Sequence, residues 1–235
     1  MSPRSASVNE AMRQRSRDRL LQATVELVEE RGYEATTLAD ITRRAGSARG
    51  LVSYYYSGKR ALVQSAVHRL MNRELAAALD AEPPAEDGEE VLARAIDAIL
   101  GLTVTHTKLM RTHMSLILAD EGFIRCPEQQ RLAALLRESV ARWGAQSPEE
   151  EYPLLRALLM GATVALLLPG APMPVARLRA ELFQRYGLDW WAGSPPGPQE
   201  HRPEAARLGP GGEPAREPAR GEHRDRGERD DHDGG

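Results

Sequence analysis

The sequence of 235 residues is poor in several features that define common protein classes. Its single cysteine, Cys126, excludes an internal disulfide framework and a cysteine-rich zinc module. Aromatic residues make up only 5% of the chain, which favours packed helices over a β-rich fold. The N-terminus lacks the apolar core of a signal peptide, and the longest apolar stretch, residues 157–168, is shorter than the roughly 20 residues of a membrane span. We therefore expect an all-α cytoplasmic protein without a membrane partner.

The chain also has little net charge, because 31 lysines and arginines nearly balance 34 aspartates and glutamates, which leaves a formal net charge of −3. This total argues against a strongly basic nucleic-acid binder, but the charge is unevenly distributed. Residues 1–60 carry a net charge of +4, residues 61–192 carry −4 and residues 193–235 carry −3. The chain thus consists of a basic head, an acidic body and an acidic tail.

The spacing of apolar residues predicts helices along most of the chain, because they recur every three or four positions. Glycine and proline mark the ends of these helices. The predicted helices cover about residues 13–31, 38–45, 49–56, 59–81, 89–106, 108–119, 127–145, 151–168 and 174–187. Residues 1–12 are expected to fray. Residues 193–235 are rich in glycine, proline and alternating charge, so they cannot bury enough apolar surface to fold, and we expect a disordered tail.

Residues 37–57 have the spacing of a helix-turn-helix, with Gly46 ending the first short helix and a second following after a brief linker. Such spacing is weak by itself, but further residues raise its specificity. They are Leu20, Leu21 and Ala23, Gly32 and Tyr33, Thr36 and Thr37, Ile41, Ala45 and Gly46, Arg49 and Gly50, Tyr55 and Tyr56, and Lys59 and Leu62. With these positions, residues 17–62 resemble the N-terminal domain of the tetracycline-repressor (TetR) family of bacterial transcriptional regulators.

The resemblance implies three parts of the chain. Residues 13–60 are expected to form a three-helix DNA-binding domain, residues 61–192 a helical ligand-binding and dimerisation domain, and residues 193–235 the disordered tail. The expected function is sequence-specific DNA binding, with repression that a small molecule relieves. The expected DNA-contacting residues are Thr36, Thr37, Arg44, Ser47, Arg49, Gly50, Ser53, Tyr54, Tyr55 and Lys59.

Physical arguments support several of these positions. Thr36 and Thr37 open a helix, where hydroxyl and backbone N–H groups favour a phosphate; Thr37 also forms a capping box with Asp40, and the two roles are compatible. Gly50 lets the backbone approach DNA, unless it serves a tight packing contact. The charge of Lys59 opposes the helix dipole, which suits a cation whose partner is a phosphate, although a solvated lysine is the alternative.

The sequence departs from the family pattern at the turn, where Ser47 and Ala48 replace the usual Val-Ser pair. Ser47 lies one residue too early to cap the second helix in the same register. Two outcomes are open: the helix begins one residue sooner, or its cap is lost at a cost of roughly 1 kcal/mol.

A small-molecule pocket is the hypothesis for the body. His106 and His113 lie two turns apart, with Met110 between them and Met114 beside, and such side chains can line a ligand cavity. Trp143 and Met160 are further candidates, and an ordinary core is the alternative. We expect no metal or cofactor, because seven residues of helix separate the two imidazoles by about 10.5 Å.

Residues 154–168 are apolar nearly all round and must be covered on both sides, so we expect a second subunit to cover the outer side. The family resemblance implies the same, with a homodimer formed through the last two helices, within residues 151–187. A dimer would place two recognition helices on a pseudo-palindromic operator in double-stranded DNA. A small helical enzyme is not expected, since none of the common catalytic motifs occurs. A DNA-binding module without a ligand remains the rival hypothesis.

Overall fold

In the computed structural model, residues 3–119 and 126–188 are described, and within these ranges the chain forms α-helices and no β-strand, which confirms the predicted fold class. The expected disordered tail lies outside the described residues. The helices are α1 (Pro3–Arg31), α2 (Leu38–Arg44), α3 (Arg49–Tyr55), α4 (Lys59–Leu79), α5 (Gly88–Thr105), α6 (Thr107–Leu118), α7 (Pro127–Trp143), α8 (Pro148–Leu167) and α9 (Val175–Tyr186).

The first helix begins about ten residues earlier than predicted, at Pro3 instead of Arg13. Proline is tolerated in a first helical turn, and no helix breaker follows it. Val8 and Met12 on this extension are exposed, so the extension has no buried apolar stripe. That is why apolar periodicity missed the extension, and the fraying expected of residues 1–12 is replaced by helix from Pro3.

Two apolar clusters form the core, and α4 belongs to both. The first cluster joins α1, α2 and α3 to the N-terminal half of α4 and to part of α6, with Leu20, Ile41 and Leu62 fully buried. The second cluster joins the end of α4 to α5, α7, α8 and α9, with Leu92 and Leu155 fully buried. The helix that leaves the N-terminal domain is thus packed into the body along its length.

Candidate functional site

The two helices of the predicted helix-turn-helix are α2 and α3. Gly46 ends α2 in the left-handed region with φ of +56°, a conformation that favours glycine. The Ser47 N–H then donates to the Thr42 carbonyl at 2.9 Å, which closes the turn. Ile41 of α2 and Val52 of α3 are buried against the core, so the opposite side of α3 faces outward.

The outward side of α3 carries Gly50, Ser53 and Tyr54. All three are exposed, and 72% of the Tyr54 surface is accessible. A Cβ atom at Gly50 would meet no atom within 4 Å among the described residues, which excludes the tight packing contact left open for this glycine. The side chain of Arg49 lies outside the described part of the structure. This side of α3 is therefore open for a contact with DNA.

The two threonines before α2 have different roles. Thr37 is the N-cap: its hydroxyl accepts the Asp40 N–H at 3.1 Å, and the Asp40 carboxylate accepts the Thr37 N–H at 3.3 Å, which confirms the capping box. Thr36 is fully buried, and its hydroxyl donates to the carbonyls of Leu27 and Gly32. A buried hydroxyl with internal acceptors cannot reach a phosphate, so the structure corrects the assignment of Thr36 as a DNA contact.

The structure of the turn at Ser47 and Ala48 shows whether α3 begins one residue sooner or loses its cap. The N-cap of α3 is Ala48, and no side chain makes a capping hydrogen bond to this helix. The helix has therefore lost its cap instead of beginning one residue sooner. The Ser47 hydroxyl oxygen is buried and has no hydrogen-bond partner among the described residues, so it does not face outward as a DNA contact would require.

Two of the three predicted cations, Lys59 and Arg44, have partners inside the protein. The Lys59 ammonium donates to the Tyr33 carbonyl at 3.0 Å and lies 4.0 Å from the centroid of the Tyr33 ring. The sequence suggested a phosphate or solvent as the partner of Lys59 and did not indicate this internal contact, and a contact with DNA remains a prediction. Arg44 forms ion pairs with Glu30 at 2.7 Å and Glu26 at 3.3 Å, which raise the pKa of its guanidinium. Its contact with DNA would require these pairs to be shared or broken.

Tyr55 and Tyr56 connect the end of α3 to the core. Tyr55 is half-buried and packs edge-on against Tyr54, with ring centroids 5.0 Å apart. Tyr56 is buried, and its hydroxyl accepts a hydrogen bond from Arg17 Nε at 3.2 Å. Burial raises the pKa of this hydroxyl to about 12, so it stays protonated. The same Arg17 pairs with the Glu128 carboxylate of α7 at 2.6 Å, which links α3 to the body.

The sequence contains a charge pattern that was not used to predict the helix-turn-helix. Residues 41–73 contain seven arginines and lysines and no aspartate or glutamate. This stretch runs through α2, α3 and the first two-thirds of α4. It is a more specific signal than the net charge of residues 1–60, because it contains the whole of α3 and the start of α4. Four of its cations, Arg43, Arg44, Arg69 and Arg73, form ion pairs with acidic side chains from outside the stretch.

A cavity of about 60 Å³ lies in the body between α4, α5, α6, α7 and α8. Four of the six predicted pocket residues line it, namely Met110, His113, Met114 and Met160. The lining residues that sequence reasoning missed include His68 on α4, whose position on a buried apolar stripe was the available signal.

His106 and Trp143 do not line the cavity, which corrects two of the predicted pocket residues. α5 ends just before His106 and α6 begins just after it, so His106 and His113 do not share a continuous helix. His106 Nδ1 instead lies 3.5 Å from Glu29 of α1. The Trp143 indole N–H donates to the Tyr186 carbonyl at 3.1 Å, away from the cavity.

The polar residues that line the cavity are His68, His113, Gln129, Tyr152, Arg156 and Thr163. The imidazole rings of His68 and His113 meet edge-on, with centroids 5.0 Å apart, and His68 Nδ1 lies 3.2 Å from Cys126 Sγ. Burial, together with the smaller effect of the nearby Arg156 cation, lowers the pKa of His113 to about 4. Burial, His113 and Arg156 together lower the pKa of His68 to about 3. Both imidazoles are therefore neutral at physiological pH.

The described residues contain no group of three histidine, cysteine, aspartate or glutamate side chains suited to hold a metal ion. Within the same ranges, no helix combines the length and apolar character that crossing a membrane requires.

An apolar stripe on α8 is exposed. Leu154, Ala157, Gly161, Val164 and Leu168 recur at alternating intervals of three and four along this helix and its end, so they share one face. The opposite face carries Leu155, Leu159 and Ala162 and is buried in the body.

Comparison with known proteins identifies relatives of the N-terminal part. Residues 20–66 match the family model described as bacterial regulatory proteins, tetR family. The transcriptional regulator BetI 1 of Chromohalobacter salexigens is 38% identical over 55 residues, which cover 23% of this chain and 27% of that protein. The regulator BetI of Klebsiella pneumoniae is 25% identical over 167 residues, covering 67% of this chain and 85% of that protein. The chain spans less than half the length of the first curated relatives it matches.

Solved structures show the same overall fold. A TetR transcriptional regulator from Rhodococcus sp. RHA1 superposes with a TM-score of 0.59 at 19% identity, covering 77% of this chain and 99% of that one. The fatty acid degradation regulator FadR from Bacillus halodurans superposes with a TM-score of 0.53 at 16% identity, covering 72% and 96%. At these identities the likeness concerns the fold alone.

Proposed function

We propose that this chain, which belongs to the TetR family of bacterial transcriptional regulators, is a cytoplasmic repressor that binds a pseudo-palindromic operator and leaves it when a small molecule enters its body. The observation that carries the DNA-binding part is the outward side of α3. Gly50, Ser53 and Tyr54 are exposed there, within a stretch of 33 residues that contains no acidic side chain. Such a surface fits the major groove, where a recognition helix reads base edges and nearby cations meet phosphates.

The DNA contacts we retain are a subset of those expected from the sequence. Thr37 offers the N-terminus of α2 to a phosphate, and the outward side of α3 offers Gly50, Ser53 and Tyr54. Tyr55 can still reach a phosphate, because its side chain is only half-buried. Lys59 can as well, because its ammonium has three N–H donors, and the Tyr33 carbonyl accepts only one of them. Arg49 and Arg44 stay predicted contacts.

Effector binding is proposed for the cavity of the body. At about 60 Å³ the cavity is much smaller than the roughly 300 Å³ or more typical of ligand pockets, so a ligand must push the surrounding helices apart. α4 lines this cavity through His68 and begins at Lys59, next to the helix-turn-helix. Arg60 also donates to the Leu116 carbonyl of α6 at 2.5 Å. Movement of α4 and α6 would thus reposition the DNA-binding head.

The energy required for release is modest. A coupling free energy of about 1–3 kcal/mol between ligand and DNA weakens operator binding by roughly 5- to 150-fold. A ligand supplies it when it binds the expanded cavity better than the small one.

Dimerisation is proposed through α8 and α9, within residues 151–187. The exposed apolar stripe of α8 contains Gly161 and Ala157, which permit a close approach of a partner helix. A two-fold axis beside this stripe would carry two copies of α3 to successive turns of the major groove, about 34 Å apart.

The experiment that tests the DNA-binding face uses the full chain and the promoter region of its own gene. Footprinting locates the operator, and fluorescence anisotropy then compares Tyr54→Ala with Leu118→Ala, which removes an equally exposed side chain of α6. We expect Tyr54→Ala to weaken operator binding by about tenfold or more, while Leu118→Ala stays within about twofold of the wild type. Wild-type affinity of Tyr54→Ala at both low and high salt would overturn this assignment of α3.

A further inference from the structure

We propose that the cavity of the body selects an organic anion: a small molecule with one carboxylate on an apolar body, held by Arg156 and His113. This inference rests on the proposed function, in which the cavity is the effector site. It goes further by assigning the chemical class of the effector and the two side chains that recognise its charged group.

The first observation is the charge of the lining. Among the described residues that line the cavity, Arg156 carries the only formal charge, and none is an aspartate or glutamate. His68 and His113 are neutral, because burial and the Arg156 cation lower the pKa of each ring well below 6.5. Arg156 lines the same cavity as both rings. A guanidinium presents five N–H donors, so Arg156 can hold a ligand carboxylate in addition to the interactions it already makes within the protein, whereas its charge disfavours a ligand cation.

The second observation is an unpaired polar atom. His113 is only 5% exposed, and its Nδ1 has no hydrogen-bond partner in the part of the chain that the structure describes. Buried polar atoms are nearly always paired in folded proteins, so an unpaired one on a residue that lines a cavity is available to a ligand atom. With Nδ1 protonated, the neutral ring donates to an oxygen acceptor, and a carboxylate provides two such oxygens.

The remaining walls fit an apolar body. Met110, Met114 and Met160 line the cavity together with Leu159. Thioether side chains are unbranched and flexible, so they can move aside when a ligand enlarges a small cavity. The cavity thus combines one anion-binding side with a deformable apolar side, which suits an amphipathic acid and disfavours a sugar or a polyamine.

Isothermal titration calorimetry on the full-length protein tests this inference with two matched sets of probes. The first set is hexanoate, hexan-1-ol and hexylamine, and the second is benzoate, benzyl alcohol and benzylamine. Within each set the apolar body is constant and only the charge of the head changes. We expect each carboxylate to bind roughly tenfold more tightly than its alcohol, and each ammonium to bind more weakly than its alcohol.

Arg156→Gln and Arg131→Gln form the matched pair of variants, since Arg131 is an exposed arginine of α7 outside the cavity. The preference for the carboxylate should fall to within about twofold in Arg156→Gln and stay near tenfold in Arg131→Gln. His113→Phe is a second variant that fills the same space without a polar atom. It should lower carboxylate affinity several-fold and leave alcohol affinity unchanged.

Three results would overturn the inference: an alcohol or ammonium that binds as tightly as its carboxylate, a preference that survives Arg156→Gln, or no binding of either carboxylate at about 10 mM, where weak ligands still register. Operator release is measured separately, by anisotropy with the same probes. If a carboxylate binds through Arg156 without releasing DNA, the proposed regulation fails and the anion site stands. If only an alcohol or amine releases DNA, the anion site fails and the proposed regulation stands.

Discussion

Arg17 and Glu128 lie 111 positions apart in the sequence, yet the guanidinium of the first meets the carboxylate of the second at 2.6 Å. Arg17 belongs to the DNA-binding head and Glu128 to the first turn of α7 in the body. Arg17 also donates to the hydroxyl of Tyr56, the residue that ends the recognition helix. Gln129, next to Glu128, lines the cavity. One side chain therefore joins the end of α3 to the neighbour in sequence of a residue that lines the cavity.

A double-mutant cycle measures this ion pair. The Glu128 side chain is only 5% exposed, so Arg17→Met leaves a buried carboxylate without its cation and should lower the free energy of unfolding by about 3 kcal/mol. Glu128→Gln removes the charge that needs compensation, so the double variant should lose less than the sum of the single losses, by about 1–3 kcal/mol. Urea denaturation of the four proteins provides the measurement. Losses that add within about 0.5 kcal/mol would show that the two side chains do not interact energetically.

The dimer face can be tested with a pair of exposed alanines. Ala157→Arg places a long cation in the middle of the apolar stripe of α8, whereas Ala77→Arg places the same side chain on the exposed surface of α4. If the proposed dimer forms through this stripe, Ala157→Arg should make the protein monomeric, because burying an unpaired charge in an interface costs several kcal/mol. Ala77→Arg should remain dimeric. Analytical ultracentrifugation distinguishes the two outcomes, and a dimeric Ala157→Arg would exclude the centre of this stripe from the interface.

Stability should decrease as pH falls below 6.5. Burial lowers the pKa of His113 to about 4 and that of His68 to about 3, and His113 and Arg156 contribute to these shifts. The unfolded chain therefore takes up protons at these rings between pH 6.5 and pH 4, while the folded chain does not. Above pH 6.5 both rings are neutral in the folded and the unfolded chain, so they do not lower the free energy of unfolding. On acidification the free energy of unfolding falls by up to about 2.7 kcal/mol per pH unit for two rings.

Denaturation between pH 6.5 and pH 5 measures this slope, since most carboxylates are still ionised there. In His113→Phe only one of the two rings remains, so the slope should fall to about half of the wild-type value. An unchanged slope in this variant would show that His113 is protonated in the folded protein.

Two glycines of α5 should respond to alanine in opposite directions. A Cβ atom at Gly88 would overlap with the backbone carbonyl of Arg142, because the start of α5 lies directly against the end of α7. Gly88→Ala should therefore destabilise the protein by about 2 kcal/mol or more. A Cβ atom at Gly101 would meet no atom within 4 Å among the described residues, so Gly101→Ala should stabilise the helix by about 0.5–1 kcal/mol. Thermal unfolding compares the two, and similar melting temperatures would contradict the close approach at Gly88.

Much of the fold could be predicted from the sequence because its signals are local. The capping box of Thr37 and Asp40 and the stop at Gly46 depend on residues within one or two turns, and both occur as predicted. The long helices follow from apolar spacing, and their bounds agree within a few residues apart from the start of α1. Packing against neighbours was not needed to find them.

The site was harder to predict, because side-chain contacts between distant helices decide it. His106 has the right spacing from His113 on an ideal helix, but the chain changes direction between α5 and α6 and turns His106 toward Glu29. Thr36 precedes α2 and is buried against the end of α1, where its hydroxyl donates to backbone carbonyls. No local sequence pattern indicates this burial. Arg156 could not be singled out either, because the sequence contains many arginines. Only the packing of the body helices shows that Arg156 lines the cavity.

The missing cap of α3 has a consequence for the motions of the DNA-binding head. Seven residues are too few for an isolated helix to persist in water, and Ala48 contributes no hydrogen bond to the first turn of α3. The packing of Val52 and Tyr56 therefore holds the helix in place. Its amide hydrogens should exchange with solvent through small local openings, far below the free energy of global unfolding. An operator that binds this face would slow that exchange, so the recognition helix gains part of its order from the DNA that it reads.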